Sequence, residues 1–135
     1  MDWQKVDAEI DKLSSMIQLK PDIIVVVVRG GLIPGRLLAK KLGVREMYAL
    51  TIKKEASERT ISSSINENVE GKNILLVEDA LETGASMMVS KQYLETLGAT
   101  VQTAALYFQP RTKVIPDYTI SEVENIPTFP WDWSN

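Results

Sequence analysis

The run from Ile23 to Val28, "IIVVVV", sets the narrowest limits on how this chain can fold. A strand with one solvated face alternates apolar and polar residues. A run of β-branched residues with no polar alternate is covered on both faces, as in the centre of a parallel sheet. Covering both faces takes helices, and the flanking sequence supplies them. Residues 2–17 place Trp3, Val6, Ile10, Leu13 and Ile17 at helical spacing. "LIPGRLLAKKLG" is a second helical pattern, with Pro34 in its first turn and Gly43 as its stop. "REMYALTI" reads as a second strand, 73–78 as a third, 85–97 as a helix ended by Gly98, "TVQTAALYF" as a fourth strand and "DYTISEV" as a fifth. The alternation predicts an α/β fold: an open, mainly parallel twisted sheet flanked by helices, with right-handed crossovers. At 135 residues and without internal repeats, 1–135 reads as a single domain. Residues 53–70 carry no period and read as a long polar loop, of the kind that acts as a flexible lid.

Two residue types are missing, and their absence narrows the chemistry. With no cysteine and no histidine, there can be no disulfide, thiol nucleophile, Ser-His-Asp triad or zinc site built on these ligands. Acid–base work falls to Asp, Glu, Lys or Tyr, and any metal would be a hard, oxygen-liking ion such as Mg²⁺. A formal net charge of −3 argues against nucleic acid as a partner. No apolar run reaches the roughly eighteen residues of a membrane span, and "MDWQKVDAEI" is unlike a secretion signal. The expectation is a cytoplasmic protein with no membrane partner.

The chemistry concentrates in residues 74–86, "ILLVEDALETGAS". A buried strand closes on Glu78 and Asp79; Glu82 follows, then Thr83, Gly84, Ala85 and Ser86 before a helix. Backbone N–H groups at a helix start are unpaired and carry the positive end of the helix dipole. Gly84 and Ala85 admit an anion closely, and the hydroxyls of Thr83 and Ser86 can donate to it. The Gly-Lys-Ser/Thr ending of a Walker A loop is absent. Glu78 and Asp79 could accept hydrogen bonds from vicinal hydroxyls, and a phosphate beside a diol describes a ribose 5-phosphate. The competing reading is a helix capped by Thr83 or Ser86, with the acids complementing its dipole.

This stretch resembles the phosphoribosyl-diphosphate (PRPP) binding motif of type I phosphoribosyltransferases. "VVVVRGGLIPGRLLAKKLG" is similar to the pyrophosphate-loop segment of the xanthine-guanine and related 6-oxopurine members, and "PDYTI" and "FPWDW" resemble the end of that subgroup. The resemblance spans residues 22–132. It implies that Glu78, Asp79, Ala80, Leu81, Thr83, Gly84, Ala85 and Ser86 hold the ribose phosphate. It implies that Arg29 and Gly30 hold the diphosphate after a cis peptide bond, and that Asp79 meets Mg²⁺ through water, with PRPP. Glu82 would be the catalytic carboxylate, managing a proton on the purine. The loop at 53–70 would close over the reacting centre, where Ser62, Ser63 and Ser64 could touch the diphosphate. A C-terminal hood over about 109–135 would bind the base, and a homo-oligomer, dimer or tetramer, is implied.

The chain departs from the family pattern at several positions, and Ala80 is smaller than the usual aliphatic residue at its place. Glu82 stands where purine enzymes generally carry Asp. Gln109, followed by Pro110, stands where a lysine usually donates to the 6-oxo group, and an amide can also accept. Ile126 and Pro127 replace a Trp-Ile pair whose indole stacks on the base. Trp131 is expected as a structural aromatic, and Lys113 either reaches the pocket or lies on the surface. The resemblance implies transfer of the 5-phosphoribosyl group from PRPP to a purine base, 6-oxopurines favoured, in purine salvage. A non-catalytic PRPP- or nucleotide-binding regulator on the same fold is the alternative. A phosphoacceptor receiver domain fits less well, since "YFQP" lacks the lysine that module needs.

Overall fold

The structure, a computed structural model, describes residues 1–56 and 58–133. Its elements, in chain order, are α1 (Trp3–Met16), β1 (Ile23–Val28), α2 (Leu32–Leu42), β2 (Met47–Glu55), β3 (Glu58–Ile61), β4 (Asn73–Leu81), α3 (Ala85–Thr96), β5 (Thr100–Phe108) and β6 (Tyr118–Glu122). They form a six-stranded sheet in the order β3-β2-β1-β4-β5-β6, parallel except for the β2–β3 pair.

Residue parity along β1 explains its unbroken apolar run. Ile24 and Val26 face a core built with Val6, Ile10 and Leu13 of α1 and Leu38 of α2. Ile23, Val25 and Val27 face the opposite core, with Met87 and Leu94 of α3. Each fully buried aliphatic side chain stabilises the fold by roughly 1.5–3 kcal/mol, so neither face could be polar without loss. The helix ends follow their punctuation. Asp2 caps α1 by accepting from the Lys5 N–H at 2.8 Å, and Gly43 closes α2 at φ 70°, in the left-handed region.

After β1 the chain moves outward to β2 and β3, then returns to place β4 on the other side of β1. That reversal makes the C-terminal ends of β1 and β4 a topological switch point, where α/β sheets bind ligands. The two Gly-containing segments singled out in the sequence follow these strands.

Two expectations are corrected. β4 runs to Leu81 rather than stopping at 78, because Ala80 and Leu81 pair with Tyr107 and Phe108 of β5. The segment 53–70 is not a loop throughout: β2 extends to Glu55 and pairs antiparallel with β3, from Ile52 with Ile61 to Glu55 with Glu58. This ribbon is largely solvated, so no buried face imposes alternation and the sequence carries no period there. Ser57 lies outside the described residues. Beyond the ribbon, Ile65 and Val69 are buried in the α3-side core, and the Ile65 N–H donates to the Tyr93 hydroxyl at 3.1 Å.

Candidate active site

Glu78 and Asp79 sit near the end of β4, where strand geometry sends neighbouring side chains to opposite faces. The Glu78 Oε2 is shut off from solvent and has no hydrogen-bond partner among the described residues. Burial, reinforced by the Asp79 charge, pushes its carboxyl up to about 8. Asp79 is also raised by burial, and hydrogen bonds oppose the shift, chief among them Trp131 Nε1–H to Oδ2 at 3.0 Å and the Ala80 N–H to Oδ1 at 2.7 Å. Trp131 is held in turn by Phe129, its ring stacked at 4.7 Å and 7°. The C-terminal segment therefore orients one of the two acids.

The Glu78 shift has a consequence for stability. Its folded pKa lies above its unfolded one, so the contribution is fully present below about 4.5 and is lost as pH rises through about 8. Replacing Glu78 with Gln removes that loss. The stability advantage of Glu78→Gln over the parent should grow by about 1–3 kcal/mol between pH 4.5 and 8.5, the usual cost of an unsatisfied buried polar group. Thermal melts of both proteins across that range measure it; parallel curves would mean that Glu78 does not titrate in this window.

The β1–α2 turn closes on the same acids. A Cβ at Gly30 would come within 2.5–2.8 Å of the Asp79 carboxyl group, so any side chain there would displace that carboxyl. The Val28–Arg29 peptide is cis, as the resemblance implies, and Arg29 is exposed beside it. Arg29 and Gly30 border a second crevice with Asp79, Trp131 and Asp132.

Across from the acids, α3 begins without a side-chain cap. Gly84 occupies the N-cap position at φ 75°, and the Ala85 N–H donates to Thr83 Oγ1 at 3.3 Å. The Ser86 and Met87 amides, in the first turn, have no intrahelical acceptor to reach. The capped-helix alternative therefore forms only in part: Thr83 takes the first helix N–H, and the next two amides have no side-chain acceptor among the described residues. The segment after β5 braces this loop: the Lys113 N–H donates to the Thr83 carbonyl at 2.8 Å, and the Thr112 hydroxyl packs where a Gly84 Cβ would lie.

These walls enclose a cavity of about 500 Å³, within the usual range for small-molecule sites. Its lining combines the start of α3, the acidic residues Glu78, Asp79, Glu82 and Asp132, and the cations Lys54, Arg59 and Arg111. That is a layout for a ligand carrying a phosphate, vicinal hydroxyls and further negative charge. No group of three or more metal-ligating side chains occurs among the described residues, so a divalent ion would need most of its ligands from the bound molecule.

Residues 2–135 match the phosphoribosyl transferase domain. The chain belongs to the phosphoribosyltransferase family. It is 26% identical to the xanthine-guanine phosphoribosyltransferase of Nitratidesulfovibrio vulgaris (strain DP4) over 137 residues, 96% of this chain and 82% of that protein. It is 26% identical to the enzyme of the same name from Gluconobacter oxydans (strain 621H), covering 81% of this chain and 67% of that one. The crystal structure of the purine phosphoribosyltransferase from Pyrococcus horikoshii Ot3 superposes with a TM-score of 0.92 at 31% identity, covering 98% of this chain and 92% of that one.

Within this phosphoribosyltransferase, the sequence-predicted residues divide into three groups. Glu78 through Ser86 all border the cavity, as does Ile126. Arg29 and Gly30 line the neighbouring crevice, which shares Asp79. Gln109 and Pro127, expected at the base, border neither. The Gln109 amide is committed elsewhere, its Nε2–H donating to the Glu124 carbonyl at 3.0 Å and its Oε1 accepting from Arg111. Other expectations shift as well. Ser62 Oγ donates to the Thr51 carbonyl at 3.1 Å and Ser63 Oγ accepts from the Thr51 N–H at 2.8 Å, so these hydroxyls serve the ribbon's base. Lys113 contributes its backbone rather than its ammonium.

Sequence reasoning missed Lys54, Arg59, Arg111, Phe129 and Asp132, all of which border the cavity. Arg111 had a usable signal, since it follows β5 on the ligand-binding edge of the sheet. Lys54 and Arg59 had none, because they reach the rim only through the antiparallel pairing that places them opposite each other.

Proposed function

We propose that the protein transfers the 5-phosphoribosyl group from PRPP to a purine base, 6-oxopurines favoured, releasing diphosphate and a nucleoside monophosphate in purine salvage. The observation that carries this reading is the meeting of Gly30 and Asp79. It sets the Arg29 turn beside the acid pair and the α3 start, in two adjoining crevices that share Asp79 and Asp132, which supports reading them as parts of one site. The names of the relatives support the choice of a purine.

In this reading the amides of Ala85 and Ser86, with the hydroxyls of Thr83 and Ser86, hold the 5′-phosphate. Glu78 and Asp79 accept from the ribose hydroxyls. Arg29 balances charge on the departing diphosphate, and Gly30 leaves room for it. The purine lies against Ile126, with Glu82 taking up the proton that its attacking nitrogen sheds. Lys54 and Arg59 bring the β2–β3 ribbon to the rim, where closure would exclude water. Mg²⁺, arriving with PRPP and touching Asp79 through water, would supply charge neutralisation at the diphosphate. The protein would work in the cytoplasm as a homo-oligomer, a dimer or tetramer. Exposed Leu32 and Trp133 beside the Arg29 crevice suit contact with a second copy, and sedimentation velocity would measure the assembly.

The test is a panel of adenine, hypoxanthine, guanine, xanthine and uracil, each with PRPP and Mg²⁺, followed by release of diphosphate. Release with hypoxanthine or guanine is expected. Binding of PRPP without release for any base would instead establish the regulatory alternative.

A further inference from the structure

We propose that Arg111 reads the oxo edge of the incoming base and is the specificity-determining cation of this site. The inference rests on the transfer reading above and concerns which bases that reaction accepts. Arg111 stands three residues beyond the end of β5 and borders the cavity together with Glu82 and Ile126. Its guanidinium is held at two points. Nε–H donates to Gln109 Oε1 at 3.2 Å, and Nη2–H donates to Glu82 Oε2 at 3.1 Å.

Gln109 is itself anchored, because its Nε2–H donates to the Glu124 carbonyl. Flipping that amide would turn its donors toward the guanidinium, where an acceptor is needed, so the Gln109 orientation is set by both neighbours. The clamp fixes the long Arg111 side chain while leaving Nη1 without a partner among the described residues. A guanidinium held in this way can engage a planar ligand with little further loss of rotamer freedom.

A base covered by Ile126, with its reacting region near Glu82, presents an edge to Arg111. The guanidinium carries donors only. It therefore favours an edge with two neighbouring acceptors and disfavours one with an amino group at the same place. A 6-oxopurine offers such an edge in its N7 and O6, the pair that an arginine fork matches bidentately. Adenine places a donor at position six and gains no second bond. Gln109, an amide that can donate or accept, was expected to discriminate only weakly; in this proposal the discrimination falls to a residue two positions further along the chain.

The experiment compares the parent protein with Arg111→Gln and Arg111→Lys. Calorimetry gives the affinities for inosine 5′-monophosphate and adenosine 5′-monophosphate, and kcat/KM is measured for hypoxanthine and adenine. Arg111→Gln should weaken inosine monophosphate binding by about 10- to 100-fold relative to the adenosine compound, and shift the kcat/KM ratio in the same direction. Arg111→Lys keeps the charge but not the fork and should fall between. Equal losses for both nucleotides would mean that Arg111 serves the phosphate; that result, or no loss at all, overturns the proposal. With 62% of its side chain exposed, Arg111 can be replaced without disturbing a core, and Arg111→Lys carries the same comparison should Arg111→Gln not fold. A parent protein that binds neither nucleotide overturns the transfer reading together with this one. A parent that binds both, with an unchanged ratio in the variants, overturns the Arg111 assignment alone.

Discussion

Glu82→Gln is expected to lower kcat by roughly 100-fold while leaving PRPP affinity nearly unchanged, the pattern of a lost general base. The substitution is close to isosteric. The amide oxygen it introduces can still accept from Arg111, so the contact at 3.1 Å need not be lost, and only the charge is removed. Charge is what the step requires. A purine nitrogen becomes more positive as it bonds to the ribose carbon, and an adjacent carboxylate stabilises that change and can take the proton. No histidine is present to substitute for it. Glu82 is mainly exposed and ion-paired rather than buried with the other acids, so its loss should not propagate into the ribose site. Steady-state kinetics with hypoxanthine, alongside calorimetric titration of PRPP, separates the two quantities. Full kcat in Glu82→Gln would show that the carboxylate has no catalytic part, whatever its position.

The adjacent glycines of the β1–α2 turn should respond to alanine in opposite ways. At Gly31 a Cβ would collide with the Val77 carbonyl, which is backbone of a central strand and cannot move aside. Gly31 has φ −79° and ψ −11°, a conformation open to any residue, so the requirement is space alone. Gly31→Ala is expected to cost about 3 kcal/mol and to lower Tm by roughly 10 °C. At Gly30 the obstruction is the Asp79 side chain, which can swing away. Doing so breaks its hydrogen bond from Trp131 and moves the carboxylate off the site. Gly30→Ala should therefore keep its Tm within a few degrees while raising the Kd for PRPP by about 10- to 100-fold, the worth of a hydrogen bond to a charged group. Equal Tm losses in both variants, with PRPP binding preserved in Gly30→Ala, would contradict the placement of Asp79 against the turn.

The legibility of this protein in its sequence followed the strength of burial. β1 could be read residue by residue because both of its faces are covered, and coverage leaves a compositional trace that any six-residue window reveals. The helices were readable from their apolar stripes, and α2 and α3 also from the glycines that follow them. The candidate phosphate loop stood out because a small-residue helix start directly after buried strand and acids is a local pattern, complete within thirteen residues. Solvated backbone leaves no such trace, which is why the β2–β3 ribbon passed for a loop. The aim of a side chain is not local either. Gln109 occupies the position from which a base could be read, yet its amide is taken up by the carbonyl of Glu124, fifteen positions on, as well as by its near neighbour Arg111, and no spacing rule announces the Glu124 bond. Trp131 reaches Asp79 across 52 positions of chain, and no spacing rule links an indole in a proline-rich tail to a carboxylate at a strand end. Composition and period specify which surfaces must be buried; hydrogen bonds between distant segments are chosen only when the packed sheet brings donor and acceptor within about 3 Å.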